Sequence, residues 1–155
     1  MIDETVKIEE DRLIVPALSG FYRIFAPLAY VLIRLVVAVS FLPVGFDRLL
    51  HDGALELMKP ISGLGFPFPY AWGWAVTLTE SIGGSLLALG LFTRPVAFAI
   101  FIEMIVVAFG IMIKRGMFWP THGLEVALLL GLVAFGFVLG GGGRYSLDRL
   151  IGREF

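Results

Sequence analysis

The sequence predicts an all-α membrane protein, folded as a four-transmembrane-helix bundle. Of its 155 residues, 58% are hydrophobic and only 16% are charged, which is more apolar than an average soluble domain. The apolar residues gather into four blocks, each close to the roughly 20 residues that a helix needs to cross a bilayer. We place the four helices at about 24–45, 71–91, 95–113 and 121–139.

The first predicted helix has Pro27 in its first turn, where a missing N–H is tolerated, and Pro43 near its end, where we expect a kink or a stop. A tight FTRP turn joins the second and third helices, so these two should be antiparallel neighbours. The glycine run at 140–143 should end the fourth helix.

The rest of the chain surrounds this transmembrane domain, which we assign to residues 23–140. Residues 1–22 are acidic, unlike a signal peptide, and predict a surface arm. In loop 46–70, leucines alternate with charges, which predicts a short interfacial segment. In the tail, 141–155, Ser146 is a good N-cap before a leucine-rich face, which predicts a short C-terminal amphipathic helix.

The distribution of basic residues predicts the orientation. Seven of the twelve Lys and Arg lie in the arm, the FTRP turn and the tail, and four lie in the opposite loops. Because basic residues are retained on the cytoplasmic side, we expect both termini to be cytoplasmic.

Each predicted helix carries one ionisable residue within its apolar block: Arg34, Glu80, Glu103 and Glu125. A charge at the bilayer centre costs about 2.5–3.5 kcal/mol, so such residues normally face the bundle interior and pair with one another. We therefore expect one polar cluster, in which Arg34 and Glu80 contact each other directly or through one water.

Two interpretations of this cluster stay open. The four residues could join helices by hydrogen bonds without any chemistry. Alternatively, because one Arg cannot neutralise three carboxylates, a carboxyl could carry a proton and serve ligand binding or a proton relay. Quinone chemistry, proton relay and anion transport fit this pattern equally well. The charges at 47–52 are interpreted as an exposed rim where the first helix leaves the membrane.

His122 lies three residues before Glu125, hence on the same helix face, and could extend a relay to water. Two ligands are too few to predict a metal site, and we predict none.

Small residues mark the expected helix contacts, because they let helix backbones approach closely in lipid. The second helix has a small and polar stripe around Glu80, and the fourth has a small-residue seam. The contact residues are Thr77, Gly84, Gly123, Ala127 and Gly131.

Composition excludes several functions. The chain has no Cys, so disulfides, thiolate metal sites and thiol catalysis are absent. A net charge of −1 without a basic block gives no indication of a nucleic-acid partner. The two histidines, His51 and His122, lie outside the predicted helix centres, which excludes a conventional haem oxidase. The glycine run lacks the Lys and Ser/Thr of a P-loop.

Several motifs resemble the DoxX family of four-helix membrane proteins. They are RLVVAVSFLPVGFDRLL from Arg34, TESIGGSLLALGLFTRP from Thr79, Glu125 early in the fourth helix, and the ending GGGGRYSLDRLIG. Family members usually have Lys near the position of Arg48. Glu103 is not a position that we associate with the family.

The resemblance implies a bacterial or archaeal inner-membrane protein linked to quinone-dependent redox complexes, such as thiosulfate:quinone oxidoreductase. It would be at most a subunit of such an enzyme, with a quinone as ligand, no covalent cofactor and no assigned catalytic residue. Its partners would be the lipid bilayer and either other proteins or further copies of itself. The alternatives are a proton-coupled small-solute carrier or channel, which would need an oligomer, and a membrane scaffold that recruits partner proteins.

Overall fold

The structure is a computed structural model that describes residue 15, residues 19–115 and residues 124–153. In these ranges all regular secondary structure is helical, which confirms the all-α part of the predicted fold class. The α-helices are α1 (Ser19–Leu50), α2 (Gly53–Glu56), α3 (Met58–Gly63), α4 (Pro69–Leu78), α5 (Gly84–Leu89), α6 (Thr93–Val106), α7 (Leu124–Gly140) and α8 (Leu147–Ile151). The predictions for the N-terminal arm before residue 15, for His122 and for Gly123 lie outside the described residues.

Helix α1 is longer at both ends than the predicted 24–45, and both Pro27 and Pro43 lie inside it. The expectation of a stop near Pro43 is wrong. A proline removes only the hydrogen bond of its own nitrogen, and the residues after it can keep theirs. The helix therefore continues to Leu50, and the charged residues at 47 and 48 belong to its last turn rather than to a loop.

The second and third predicted helices each contain a wide π-helical turn. The first π turn (Thr79–Gly83) joins α4 to α5, and the second π turn (Val107–Ile111) follows α6 and leads into a 3₁₀ turn, Met112–Arg115. Such turns occur mostly as single insertions within α-helices, often at functional sites. Hydrophobic periodicity does not reveal them, because the apolar blocks continue through both.

In the described part of the chain, two helices are long and apolar enough to cross a membrane, Gly20–Leu50 and Thr93–Ile111. The helix Leu124–Gly140 is apolar but shorter. The continuous helical segment 69–89 is more polar, and its polar side chains Thr77, Glu80 and Ser81 are buried.

On α7 most large apolar side chains face outward, while the small residues face inward. Leu132 and Leu139 on α7 are more than 60% exposed, whereas Ala127, Gly131 and Ala134 on the same helix are buried. Gly131 packs against Met104 of α6, so α6 and α7 form a close antiparallel pair. A soluble bundle would bury the leucines instead, so the outward face has the composition of a lipid-facing surface.

The core lies where α1, α5, α6 and α7 meet, around Val37, Leu87, Ile100 and Phe137. Helix α1 packs on α5 and on the first π turn, and α2 and α3 pack on α4. Loop 46–70 contains the short helices α2 and α3, but its first five residues belong to α1 and its last two to α4.

Candidate functional site

The buried carboxyl of Glu80 forms an ion pair with Arg48, not with Arg34. The Arg48 Nη1 atom donates a hydrogen bond to the Glu80 Oε2 atom. The Glu80 side chain is 8% exposed and that of Arg48 is 25% exposed, so Arg48 extends from the surface towards a buried charge. The interpretation of Arg48 as part of an exposed rim is therefore wrong. It followed from ending the first helix at 45, which left Arg48 outside the bundle.

A second carboxyl, that of Glu103 on α6, faces Glu80 at hydrogen-bonding distance and lies within the electrostatic influence of Arg48. The Glu103 Oε2 atom is buried and has no hydrogen-bond partner among the described residues. A hydrogen bond between two carboxyls requires a proton on one of them. We refer to Arg48, Glu80 and Glu103 as the Arg48 cluster.

The backbone of α1 approaches the first π turn directly at Gly45. A Cβ atom at Gly45 would lie 2.5 Å from the Glu80 carbonyl carbon and 2.7 Å from the Glu80 Cβ. Such separations are far below van der Waals contact, so no residue with a side chain fits here without moving α1. Gly45 thus brings Arg48, one helical turn further along α1, to the level of Glu80.

Arg34 lies at the other end of the bundle, where it holds the C-terminal turn. Its Nη1 donates to the Gly142 carbonyl at 2.5 Å and its Nη2 to the Tyr145 carbonyl at 2.9 Å. Tyr30, one turn away on α1, donates to the Gly141 carbonyl at 2.7 Å. The predicted contact between Arg34 and Glu80 is therefore wrong.

The reason lies in the length of α1. Fourteen positions separate Arg34 from Arg48, which is about 21 Å along a helix. Gly90, at the end of α5, adjoins Arg34: a Cβ there would lie 2.8 Å from the Arg34 guanidinium carbon. Arg34 therefore lies level with the end of α5, whereas Glu80 lies ten residues earlier.

Asp148 completes this arrangement. Its carboxylate accepts hydrogen bonds from the Phe92 N–H at 2.8 Å and the Thr93 N–H at 2.9 Å. Its own N–H donates to the Gly90 carbonyl at 2.9 Å. These contacts fix α8 to the start of α6. We call Tyr30, Arg34, Asp148 and the turn 141–146 the Arg34 clamp.

Glu125 lies in the first turn of α7 and is half-buried. Since Gly131 packs against Met104, Glu125 lies about 9 Å along the helix axis from the level of Glu103. The four ionisable residues are thus divided among three places: Glu80 and Glu103 are together, Glu125 is in the first turn of α7, and Arg34 is at the opposite end of the bundle. No group of three His, Cys, Asp or Glu that could hold a metal occurs among the described residues.

The Arg48 cluster combines a fixed positive charge with two adjoining carboxyls, one of which has a free buried oxygen. Such a set can donate to a ligand oxygen through Arg48, and it can accept from or give a proton to the same ligand through a carboxyl. A shallow apolar groove of about 300 Å³ lies on the other side of the first π turn, lined by Thr79, Ile82, Gly83, Pro95, Val96 and Ala99.

Sequence reasoning identified Glu80 and Glu103 but missed Arg48 and Gly45 as parts of the same site. One signal could have found them. Gly45 and Arg48 are three residues apart and so share a helix face.

Comparison with known proteins gives two findings. The family model described as DoxX matches residues 29–113. An uncharacterised protein of Haemophilus influenzae is 35% identical over 133 residues, which cover 80% of this chain and 91% of that protein. No solved structure matches the chain.

Proposed function

Because the chain belongs to the DoxX family of membrane proteins, we propose that it is a quinone-interacting subunit of a redox complex in a bacterial or archaeal inner membrane, with the Arg48 cluster as its quinone site. In this proposal the four long helical segments all cross the bilayer. The segment 69–89 is about 31 Å long at 1.5 Å per residue, which matches the hydrocarbon thickness. Its polar residues face the protein, so they do not prevent its insertion.

The observation that carries the proposal is the free Glu103 Oε2 atom beside the Arg48–Glu80 pair. A buried polar atom without a partner costs free energy, commonly about 1–3 kcal/mol. A site that binds a hydrogen-bonding ligand can retain such an atom, because the ligand satisfies it. Arg34 Nε, in the Arg34 clamp, is also buried without a partner among the described residues. The orphaned Glu103 oxygen supports a ligand site because it lies beside a fixed positive charge and a second carboxyl.

The cluster offers the groups that a quinone head requires. A ring carbonyl oxygen accepts hydrogen bonds, and Arg48 has several donors of which one is used on Glu80. Glu103 accepts from a quinol hydroxyl or donates its proton to a ring oxygen.

The electrons and protons that quinone reduction requires define what this chain would contribute to the reaction. Reduction of a quinone to a quinol takes two electrons and two protons. The electrons would come from a partner protein with flavin, haem or thiol chemistry, and the carboxyls of the Arg48 cluster would supply protons. Glu125, nearer the loop side of α7, would pass protons between this cluster and water.

Quinone binding by the purified protein tests the proposal. A short-chain ubiquinone or menaquinone analogue should bind to the intact protein in detergent, and Arg48→Gln and Glu103→Gln should each weaken binding roughly tenfold or more. Asp47→Asn is the matched control, because Asp47 is exposed and adjoins Arg48 in sequence. Wild-type affinity in both cluster variants would exclude the Arg48 cluster as a quinone site.

The same preparation distinguishes the two competing functions. A carrier or channel would transport protons or small solutes when an oligomer is reconstituted into vesicles, and it would lose transport in Glu80→Gln. A scaffold would retain its partner proteins in all cluster variants. Mass spectrometry of the native detergent extract identifies both lipophilic ligands and partner proteins.

A further inference from the structure

The C-terminal segment presents a surface that combines exposed apolar side chains with arginines. Leu150, Ile151 and Tyr145 are 82%, 58% and 52% exposed, respectively. Arg144 and Arg153 are exposed beside them. We call these five residues the tail surface. Its composition is that of a helix lying in a membrane interface, with apolar side chains reaching the acyl boundary and arginines at head-group level.

The charged residues of the tail surface, Arg144 and Arg153, are both positive, although Glu154 follows Arg153 in the sequence. The acidic residue within 144–153 is Asp148, which is 2% exposed, and both of its carboxylate oxygens accept backbone hydrogen bonds. It therefore offers no exposed negative charge to balance the arginines. A cationic apolar surface is complementary to anionic lipid head groups.

The tail surface is also held in a fixed place. Arg34 binds the carbonyls of Gly142 and Tyr145, and Asp148 binds the turn before α6. A free tail would lose conformational entropy on reaching the membrane, whereas this segment is already ordered against the bundle. The Arg34 clamp therefore also affects the protein surface. It holds Arg144, Leu150 and Arg153 in place at one end of the helices.

We propose that the tail surface binds anionic phospholipid head groups of the membrane in which the protein resides. This inference uses from the proposed function only that the chain lies in a bilayer, and it does not depend on a quinone. Each Arg near an anionic surface contributes attraction that is sensitive to salt, so two arginines should give a preference of roughly tenfold for anionic over zwitterionic lipid.

Fluorescence quenching by brominated lipid tests this proposal. The chain has no Cys, so Leu150→Cys can carry a single fluorophore in the full-length protein. In bilayers of phosphatidylcholine mixed with phosphatidylglycerol, brominated phosphatidylglycerol should quench this label about tenfold more effectively per lipid than brominated phosphatidylcholine. Added salt should reduce the difference.

Matched charge variants test whether the arginines cause the preference for anionic lipid. Arg144→Gln with Arg153→Gln should bring the two quenching efficiencies close together, whereas Lys59→Gln with Lys114→Gln removes two positive charges from the opposite end and should leave the preference unchanged. Thermal unfolding of each variant shows that the fold is retained. Equal quenching of the Leu150→Cys label by both lipids, with Arg144 and Arg153 in place, would overturn the proposal. A label that neither lipid quenches would also overturn it. In that case the tail surface contacts water, a second copy of the chain or another protein.

Discussion

Arg48 and Glu80 form an ion pair across the contact between α1 and the first π turn, 32 positions apart in the sequence. The pair connects the C-terminal end of α1 to a carboxyl inside the bundle. Glu103 adjoins the same carboxylate, so the positive charge of Arg48 acts on two acidic side chains. Arg48 is thus the positively charged residue that holds the buried carboxyls at this end of the bundle.

Removing one partner of this pair should destabilise the protein by about 2 kcal/mol. This lies between the ~0–1 kcal/mol of an exposed ion pair and the ~3–5 kcal/mol of a fully buried one, since Arg48 is partly exposed. Glu80→Gln and Arg48→Met should each lower the free energy of unfolding, measured by denaturant titration in detergent. The double variant Arg48→Met with Glu80→Met should cost clearly less than the two single changes added together.

An exposed ion pair on the same helix provides the control. Asp47 and His51 contact each other at 3.1 Å with side chains that are 75% and 73% exposed. Asp47→Asn should change the free energy of unfolding little, within the range of an exposed pair. Strict additivity of the Arg48 and Glu80 changes would contradict a direct interaction between them.

Gly45 should be intolerant of even a methyl group. Gly45→Ala places a Cβ against the backbone of the first π turn, which has no flexible side chain to move aside. Overpacking of this kind costs typically about 1–3 kcal/mol and would separate Arg48 from Glu80. Gly136→Ala is the matched control, since no atom lies within 4 Å of a Cβ at that position. Equal thermal stability of the two variants would show that α1 can move without loss.

The features that could be predicted from the sequence are those with a local cause. Four apolar blocks gave the long helices, and Ser146 was predicted as the N-cap of α8, where its Oγ accepts from the Arg149 N–H at 3.3 Å. The burial of Thr77 and Gly84 followed from the small-residue stripe. In each case the structure depends on residues that are close together in the sequence. The spacing of residue types along the chain is therefore enough to predict it.

The features that could not be predicted depend on how far one helix extends past another. Ending the first helix at 45 excluded Arg48 from the bundle and placed Arg34 near its centre. The five extra residues at the C-terminal end of α1 place Arg48 against Glu80. Arg34 is still near the middle of α1, but α5 ends at its level, so Arg34 lies at the other end of the bundle. Helix ends are weakly specified by propensity, and tertiary contacts such as Gly45 on the first π turn decide them.

Asp148 should be necessary for the attachment of the C-terminal segment. Asp148→Asn replaces a carboxylate that accepts two N–H groups with an amide that has one acceptor oxygen. Loss of a hydrogen bond to a charged group costs about 1.5–3 kcal/mol, so amide hydrogen exchange in residues 144–153 should accelerate roughly tenfold or more. Asp52→Asn is the control, because Asp52 is exposed and its side chain makes no cap hydrogen bond. Unchanged exchange in Asp148→Asn would mean that other contacts hold the segment.

The topology can be tested with single cysteines in this Cys-free chain. Ser62 lies in α3 and Arg153 follows α8, and both are exposed at opposite ends of the bundle. The bias of Lys and Arg predicts that Ser62→Cys reacts with a membrane-impermeant thiol reagent in intact cells and that Arg153→Cys reacts only after the membrane is opened. The opposite labelling pattern would reverse the predicted orientation.

Arg34 should be important for structure and unimportant for quinone binding. Its fork of donors holds the carbonyls of Gly142 and Tyr145, a geometry that a single ammonium group cannot reproduce. Arg34→Lys should therefore lower the free energy of unfolding by about 1–3 kcal/mol and loosen the C-terminal segment. About 21 Å of helix separates it from Arg48, so affinity for a quinone analogue should stay within twofold of wild type at a temperature where the variant is folded.

Arg48→Lys is the paired variant, and it should show the reverse: weaker quinone binding with unchanged hydrogen exchange in residues 144–153. A loss of quinone binding in Arg34→Lys that matches the loss in Arg48→Gln would show that the two ends of α1 act on one site.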